Sequence, residues 1–386
     1  MNLERGTMRR NTARTLARWG IAALGVALSR AALALNWNLQ PPVTPIAAEI
    51  HTLHEYVMLV IVVIFVGVFS VMFYSVFKHR KDKGHKAAQF HENTTVELIW
   101  TIIPLFILVI IAWPATKTIV AQKDTSNSDV TIKATGYQWK WGYDYIKGEG
   151  EGISFLSTLS TPEAEIENRE PKDQHYLLEV DHPLVVPVDK KIRIVTTAGD
   201  VIHSWWVPAF GVKQDAIPGI VRDTWFKATK TGTYRGQCAE LCGKNHGFMP
   251  IVVKVVSDAD YTAWVAGEKK KAAAAAEDLT KVWTLADLKA RGEKVYATNC
   301  IACHQATGKG LPPAFPPLDG SKVVNGPKAE HVKTVFFGRK GTAMAAWGKV
   351  LSDTDIAAVV TYERNTWDNH TGDVVQPAEV HALRTN

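Results

Sequence analysis

A chain of 386 residues, 46% of them hydrophobic, exceeds one ordinary domain and is long enough to build more than one core. Its formal charge of +6 gathers at the N-terminus and in one short basic run, which speaks for membrane topology and against nucleic acid as a partner. Its four cysteines form two close pairs, Cys238/Cys242 and Cys300/Cys303, each near a histidine, so they point to ligation or cofactor attachment and not to a disulfide framework.

The opening residues read as an export signal over 1–34. Arg9, Arg10, Arg14 and Arg18 precede an apolar stretch that ends at Ala32-Leu33-Ala34. Arg30 inside that stretch leaves an uncleaved amphipathic leader as the alternative. Residues 35–122 then hold two membrane spans. Tyr56 to Phe77 carries no charge, and Leu98 to about Val120 carries Pro104 and Pro114; each is long enough to cross a hydrocarbon core of about 30 Å at about 1.5 Å per residue. Neither span shows the polar stripe of a soluble helix. The basic loop KHRKDKGHK between them belongs in the cytoplasm by the positive-inside rule, which puts everything after the second span outside.

From Val130 to Val256 the pattern turns to short apolar runs such as DVTIKATGYQWKW, HYLLEVDHPLVVPV, KIRIVTTA and MPIVVKVV, divided by Pro, Gly and Asp. Such runs predict a β-sandwich, placed at residues 123–266. GEKKKAAAAAEDLTK loses the strand pattern and reads as a helical or semi-flexible spacer over 267–283. Residues 284–386 then form a small all-α domain, with Ser352 or Asp353 as the N-cap of its TDIAAVVTYERNTW helix.

Two clusters carry chemistry. In CAELCGKNHGFM, Cys238 and Cys242 are followed by His246 and Met249. Thiolate, imidazole and thioether form a soft donor set that favours copper over zinc. A single blue copper uses one Cys, so the second thiolate suggests a rhomb of two copper ions bridged by two sulfurs, which needs one more histidine from elsewhere. His203, at the end of a predicted strand in GDVIHSWWVP, is the best candidate; His175 and His182 sit among polar neighbours. In the second cluster, CIACH is the attachment signature of a covalent haem, with Cys300 and Cys303 as thioethers and His304 as proximal ligand. Met344 is the one methionine after Cys303 and the distal candidate, ahead of His331 and His370. Met/His ligation would raise the haem potential. GLPPAFPPL is placed as the loop that packs near His304.

CAELCGKNHGFMP, together with VIHSWWVP, DAIPG, GYQWKWGYDY and VELIWTIIP, resembles subunit II of cytochrome c oxidase over about residues 40–265, and about residues 284–370 resemble a class I cytochrome c. The resemblance implies a cupredoxin-like sandwich with a dinuclear copper A centre. Cys238 and Cys242 would bridge, His203 and Met249 would complete one copper, and His246 and the Glu240 backbone carbonyl the other. It also implies that the Glu240 carboxylate helps hold magnesium at subunit I, that Trp139 receives electrons from cytochrome c, and that Glu97 stands at a proton-channel entrance. Lys140 occupies a position where many relatives carry an aromatic, so the docking face is expected to differ.

The implied protein is subunit II of a bacterial respiratory oxidase with its own haem c, working with subunits I and III and an external donor such as a c-type cytochrome. It would sit in lipid of the inner membrane, with both redox domains on the periplasmic side. The alternatives are a nitrous oxide reductase-like electron-transfer system, which would need a second His-rich copper cluster, and a free-standing copper module, which would need neither hairpin nor Glu97.

Overall fold

The structure is a computed structural model describing residues 38–384 other than 87, 88, 90, 314, 340, 341, 343 and 349, and leaving aside the side chains of 274–278 and 302. The expected export signal at 1–34 lies outside the described residues. From Pro42 onward the chain packs as one unit.

Helix α1 spans Pro45–Lys78 and α2 spans Thr94–Lys123. Most of their large apolar side chains, from Tyr56 to Phe77 and from Val96 to Val120, are exposed and none is buried. That is untenable in water at about 25 cal/mol per Å² and natural in hydrocarbon. α1 begins well upstream of its charge-free run because Thr44 caps it: the Ala47 N–H donates to Thr44 Oγ1 at 3.0 Å, with Pro45 in the first turn. α2 starts on Asn93, whose side chain accepts from the Val96 N–H at 3.1 Å, and continues through Pro104 and Pro114 without a break.

Ten strands follow: β1 (Val130–Tyr137), β2 (Lys140–Lys147), β3 (Ser154–Ser157), β4 (Leu184–Pro187), β5 (Ile192–Ala198), β6 (His203–Val207), β7 (Val212–Ala216), β8 (Arg222–Phe226), β9 (Gly232–Cys238) and β10 (Pro250–Val256), with a short α3 (Glu163–Ile166) after β3. They build two five-stranded sheets in the orders β3-β2-β1-β5-β8 and β4-β10-β9-β6-β7. Trp141, Trp205, Tyr143, Tyr145, Phe210 and Phe226 fill the space between. The pairing is antiparallel except for β1 with β5 and β10 with β4. The run 129–141, which reads as one strand, divides into β1 and β2 joined by Gln138-Trp139, so Trp139 stands at a hairpin tip.

The hairpin in the membrane is fastened to this sandwich by hydrogen bonds. Val43 N–H donates to Ala209 O at 3.1 Å, Thr44 Oγ1 to Phe210 O at 2.8 Å, Gln122 Nε2 to Gly211 O at 3.0 Å and Trp225 Nε1 to Ala121 O at 3.1 Å.

Helix α4 (Asp258–Glu277) leaves β10 and buries Tyr261 and Val265 in the sandwich core before reaching the residues read as a spacer. The last domain has α5 (Leu285–Asn299), α6 (Ile301–His304), α7 (Lys328–Phe337), α8 (Asp353–Arg364) and α9 (Pro377–His381). Thr284 caps α5 and Ser352 caps α8. α5 crosses α8 at Gly292, where an added Cβ would meet Ala358 O at 2.1 Å; only the missing side chain permits this approach.

Candidate functional site

Cys238 closes β9, and the loop after it returns through the single turn His246–Phe248 to β10. Cys238 N–H donates to Met249 O at 3.3 Å and Ala239 N–H to Ser204 O at 3.1 Å, which ties the loop to β6. His203 opens β6, whereas its sequence setting predicts that it closes the strand before it. The bend at Gly199-Asp200 ends β5, and the chain crosses to the other sheet, where β6 begins at His203. Gly136 of β1 leaves room for the imidazole: a Cβ there would lie 2.7 Å from His203 Cδ2.

The result is a buried cluster of soft donors. Cys238 Sγ and Cys242 Sγ are 3.8 Å apart, too far for a disulfide bond of about 2.05 Å. His203 Nδ1 lies 3.9 Å and Glu240 O 3.3 Å from Cys238 Sγ. His246 Nδ1 and Met249 Sδ each lie 3.5 Å from Cys242 Sγ. The ligand atoms of His203, Cys238 and Cys242 fall within 4.8 Å of one another. His203, Cys238, Cys242 and Met249 are buried, His246 is half-buried, and Glu240 sits exposed on the loop.

The two thiols titrate as a pair. A hydrogen bond from Cys242, aided by His203, pulls Cys238 far below the usual thiol range. Cys242 is driven up by that same hydrogen bond, by burial and by the charge beside it. A second thiolate so close needs cations to neutralise it.

Asp200 escaped the sequence reading. Its Oδ1 lies 2.9 Å from His203 Nε2, which fixes the ring and leaves Nδ1 toward the sulfurs. Burial opposes protonation of this imidazole, but Asp200 and Cys238 outweigh it and raise its pKa. A carboxylate three residues before a candidate ligand was the only signal available for it. Of the rival histidines, His182 is 65% exposed on the surface beside Asp181, and His175 is bound into neither cluster.

Gln138 Nε2 and Trp139 Nε1 both donate to Cys242 O, at 2.8 and 3.2 Å, so the β1–β2 hairpin tip rests on the cysteine loop. Glu97 is remote from this cluster. It lies exposed in the first turn of α2, where its carboxylate accepts from the Asn93 N–H at 3.3 Å and complements the helix N-terminus.

The second cluster surrounds a cavity of about 400 Å³ lined by Cys300, Cys303, His304, Met344, Val335 and Trp347 among others. His304 Nδ1 bonds Pro316 O at 3.0 Å, which assigns the proton to Nδ1 and leaves Nε2 as a donor to a metal. The proline-rich loop thus packs where it was expected. His331 also lines the cavity, but its Nε2 is engaged by Glu363 at 2.9 Å; His370 is exposed. Burial pushes the Cys300 and Cys303 thiols upward, the reverse of Cys238, an environment suited to neutral thioethers and not to thiolate ligands.

Tyr137, Gln138, Lys140 and Asp200 of the sandwich line the same cavity. Lys140 is 6% exposed; its Nζ donates to Asn299 O at 3.1 Å and sits 4.4 Å from the Trp347 ring centre. Burial lowers its pKa to about 8.

A membrane hairpin carrying a cupredoxin-like sandwich with a soft-donor cluster, joined to a helical domain with a CIACH cavity, defines a membrane-anchored electron-transfer protein. Family models match along the chain: cytochrome c oxidase subunit II, transmembrane domain, at 32–118; its periplasmic domain at 130–256; and cytochrome c oxidase, cbb3-type, subunit III, at 287–362. The chain is 42% identical over 241 residues to a probable cytochrome c oxidase subunit 2 of Rickettsia bellii, covering 62% of this chain and 87% of that protein. It is 41% identical over 242 residues to cytochrome c oxidase subunit 2 of Cereibacter sphaeroides, covering 59% and 78%. Among solved structures, the periplasmic domain of subunit II of the Bradyrhizobium japonicum cytochrome oxidase matches at 49% identity, 38% of this chain, 98% of that chain and a TM-score of 0.34.

The chain belongs to the cytochrome c oxidase subunit 2 family and carries a C-terminal cytochrome c domain. It is a membrane-anchored part of a haem-copper oxidase complex, with a periplasmic domain and subunit I as its partner. The family implies copper A and the cytochrome domain implies haem c. The residues fit both groups: paired sulfurs that need cations face two imidazoles and a thioether, and an apolar cavity joins Cys300, Cys303, His304 and Met344.

Proposed function

We propose that the chain is subunit II of a bacterial respiratory oxidase in which a tethered cytochrome feeds its own copper domain. When bound, haem c and copper A supply the one-electron couples between an external donor and subunit I, where oxygen is reduced to water with proton pumping. The observation that carries this reading is the shared cavity wall: residues of the β1–β2 hairpin border the CIACH cavity and also bond the cysteine loop.

Cys238 and Cys242 would bridge two coppers, with His203 and Met249 at one and His246 and the Glu240 carbonyl at the other. Each of these pairs would draw one donor from beside each sulfur, since His203 Nδ1 and Glu240 O lie by Cys238 Sγ and His246 Nδ1 and Met249 Sδ by Cys242 Sγ. Cys300 and Cys303 would hold the haem covalently, with His304 and Met344 as its iron ligands. Trp139 would stand where electrons reach the copper domain. The Glu240 carboxylate, exposed on its loop beside the exposed Leu241, is available to magnesium at a contact with subunit I. Ile202, Ile220, Val221 and Leu241, exposed around the copper end, supply apolar surface for that contact.

Glu97 would lie near the cytoplasmic face at a proton entrance, and its helix-capping bond leaves one carboxylate oxygen for that role. The working division is an export signal at 1–34, hairpin at 35–122, copper domain at 123–266, spacer at 267–283 and cytochrome domain at 284–386, in the inner membrane with subunits I and III. The short connection keeps the cytochrome at high effective concentration at the copper domain.

Purification of the complex from membranes tests the assignment. Subunit I should co-purify, and Cys242→Ser should abolish the mixed-valence copper spectrum while c-type haem absorbance persists. A chain that purifies without subunit I, or an unchanged copper spectrum in the variant, overturns it.

A further inference from the structure

We propose that Lys140 is the positioning residue that joins the two redox domains, closing a hydrogen-bonded route from the CIACH segment to the cysteine loop. The route is continuous. Asn299, whose peptide bond leads directly to Cys300, accepts at its carbonyl from Lys140 Nζ at 3.1 Å. Lys140 is the covalent neighbour of Trp139, and Trp139 Nε1 donates at 3.2 Å to the carbonyl of Cys242. One lysine side chain and one tryptophan side chain, on adjacent residues of one hairpin, therefore reach the two sites in opposite directions.

The position of Lys140 is not that of a solvated surface charge. It is 6% exposed, and a buried ammonium is costly unless it is paired. Among the described residues its ammonium donates to the Asn299 carbonyl and faces the Trp347 ring at 4.4 Å, both on the cytochrome domain, while Asp200 and Asp181 of its own sandwich also favour its charge. A lysine that invests its charge in the neighbouring domain fixes where that domain sits. Apolar contacts support the same seam: Leu156 of the sandwich packs into the cytochrome core, with Tyr137 against it. Tyr137, Gln138 and Lys140 of the hairpin line the cavity together with Cys300 and Cys303, and Asp200 joins them from the turn after β5.

The transfer across this seam moves one electron, oxidising the cytochrome centre by one and reducing the copper-domain centre by one. It asks no proton or bond change of Lys140, which only holds the two ends in register. This inference rests on the redox reading given above.

The test uses the purified oxidase complex carrying Lys140→Met or Lys140→Arg. Two quantities are read: the rate of electron equilibration between haem c and copper A after flash photoreduction, and backbone hydrogen exchange over residues 137–142 and 299–304. For K140M the docked population, and with it the rate, should fall about tenfold, as expected for losing a charge-assisted hydrogen bond, with both cofactor spectra and the copper domain's thermal midpoint unchanged. Exchange in both segments should rise, and K140R should restore rate and protection. Equal rates and equal protection in K140M and wild type overturn the proposal. Hydrogen exchange reads the contact even where a variant loses a cofactor. A wild-type complex lacking either cofactor spectrum would instead sink the functional reading.

Discussion

Asp200 and His203 meet at 2.9 Å between Oδ1 and Nε2, while the other oxygen of Asp200 accepts from the Gln138 N–H at 2.7 Å. One carboxylate thus sets the ring of a candidate copper ligand and the hairpin tip that bears Trp139. Partners that orient a ligating histidine typically carry about ten- to hundredfold in metal affinity. Asp200→Ala is expected to weaken copper retention by that factor against a competing chelator. Retention equal to wild type would show that the ring is held by packing alone.

Gly136 bears on the same ring from the other side. A methyl group here would sit 2.7 to 2.9 Å from three atoms of His203. Gly136→Ala must therefore displace the imidazole or the strand, at a cost of about 1–3 kcal/mol. The copper hyperfine pattern should change and the copper domain should melt earlier; an unaltered pattern would mean that β1 yields and the ring does not.

Gly292 plays the corresponding part in the cytochrome domain, 2.1 Å from Ala358 O if given a Cβ. Gly292→Val should separate α5 from α8 and destabilise this domain by at least about 1–3 kcal/mol. Melting followed at the haem absorbance should show the loss, with the copper spectrum intact at room temperature. An unshifted haem-domain transition would deny the crossing its role.

Acid should act on the same domain through Asp373. Buried Arg364 donates to its carboxylate from Nε at 3.0 Å and holds the Asp373 pKa below its ordinary value of 3.8. A depressed folded-state pKa contributes stability above the unfolded value and loses it as pH falls through the folded one. Stability of the cytochrome domain should drop on acidification below about pH 4. Asp373→Asn should flatten that acid limb, seen in denaturant melts across pH; an acid limb of wild-type steepness in the variant would exclude the pair as its source.

Much of this was legible in the sequence because it is written in local patterns. The two spans announce themselves as charge-free runs, and CIACH and CAELCGKNHGFM keep their donors within a few residues. His203 was reachable by chemistry but misplaced on its strand, since the Gly199-Asp200 interruption has no strong period-2 signature. Asp200 and Gly136 were invisible for a different reason. Their roles arise from the pairing of β1 with β5 and the return of β6, contacts made across long stretches of chain. Lys140 showed only as an unusual residue beside Trp139, and its partner Asn299 lies in another domain.

The bonds from Val43, Thr44 and Gln122 to the Ala209–Gly211 turn have a mechanical consequence. Both ends of the hairpin are bonded to one corner of the sandwich, which restrains the domain from swivelling on its stalk. The height of Cys238 and Cys242 above the lipid, and the face they present, are then set by how deep α1 and α2 sit in the bilayer. A partner embedded in the same bilayer meets the site already aimed, without a search over orientations.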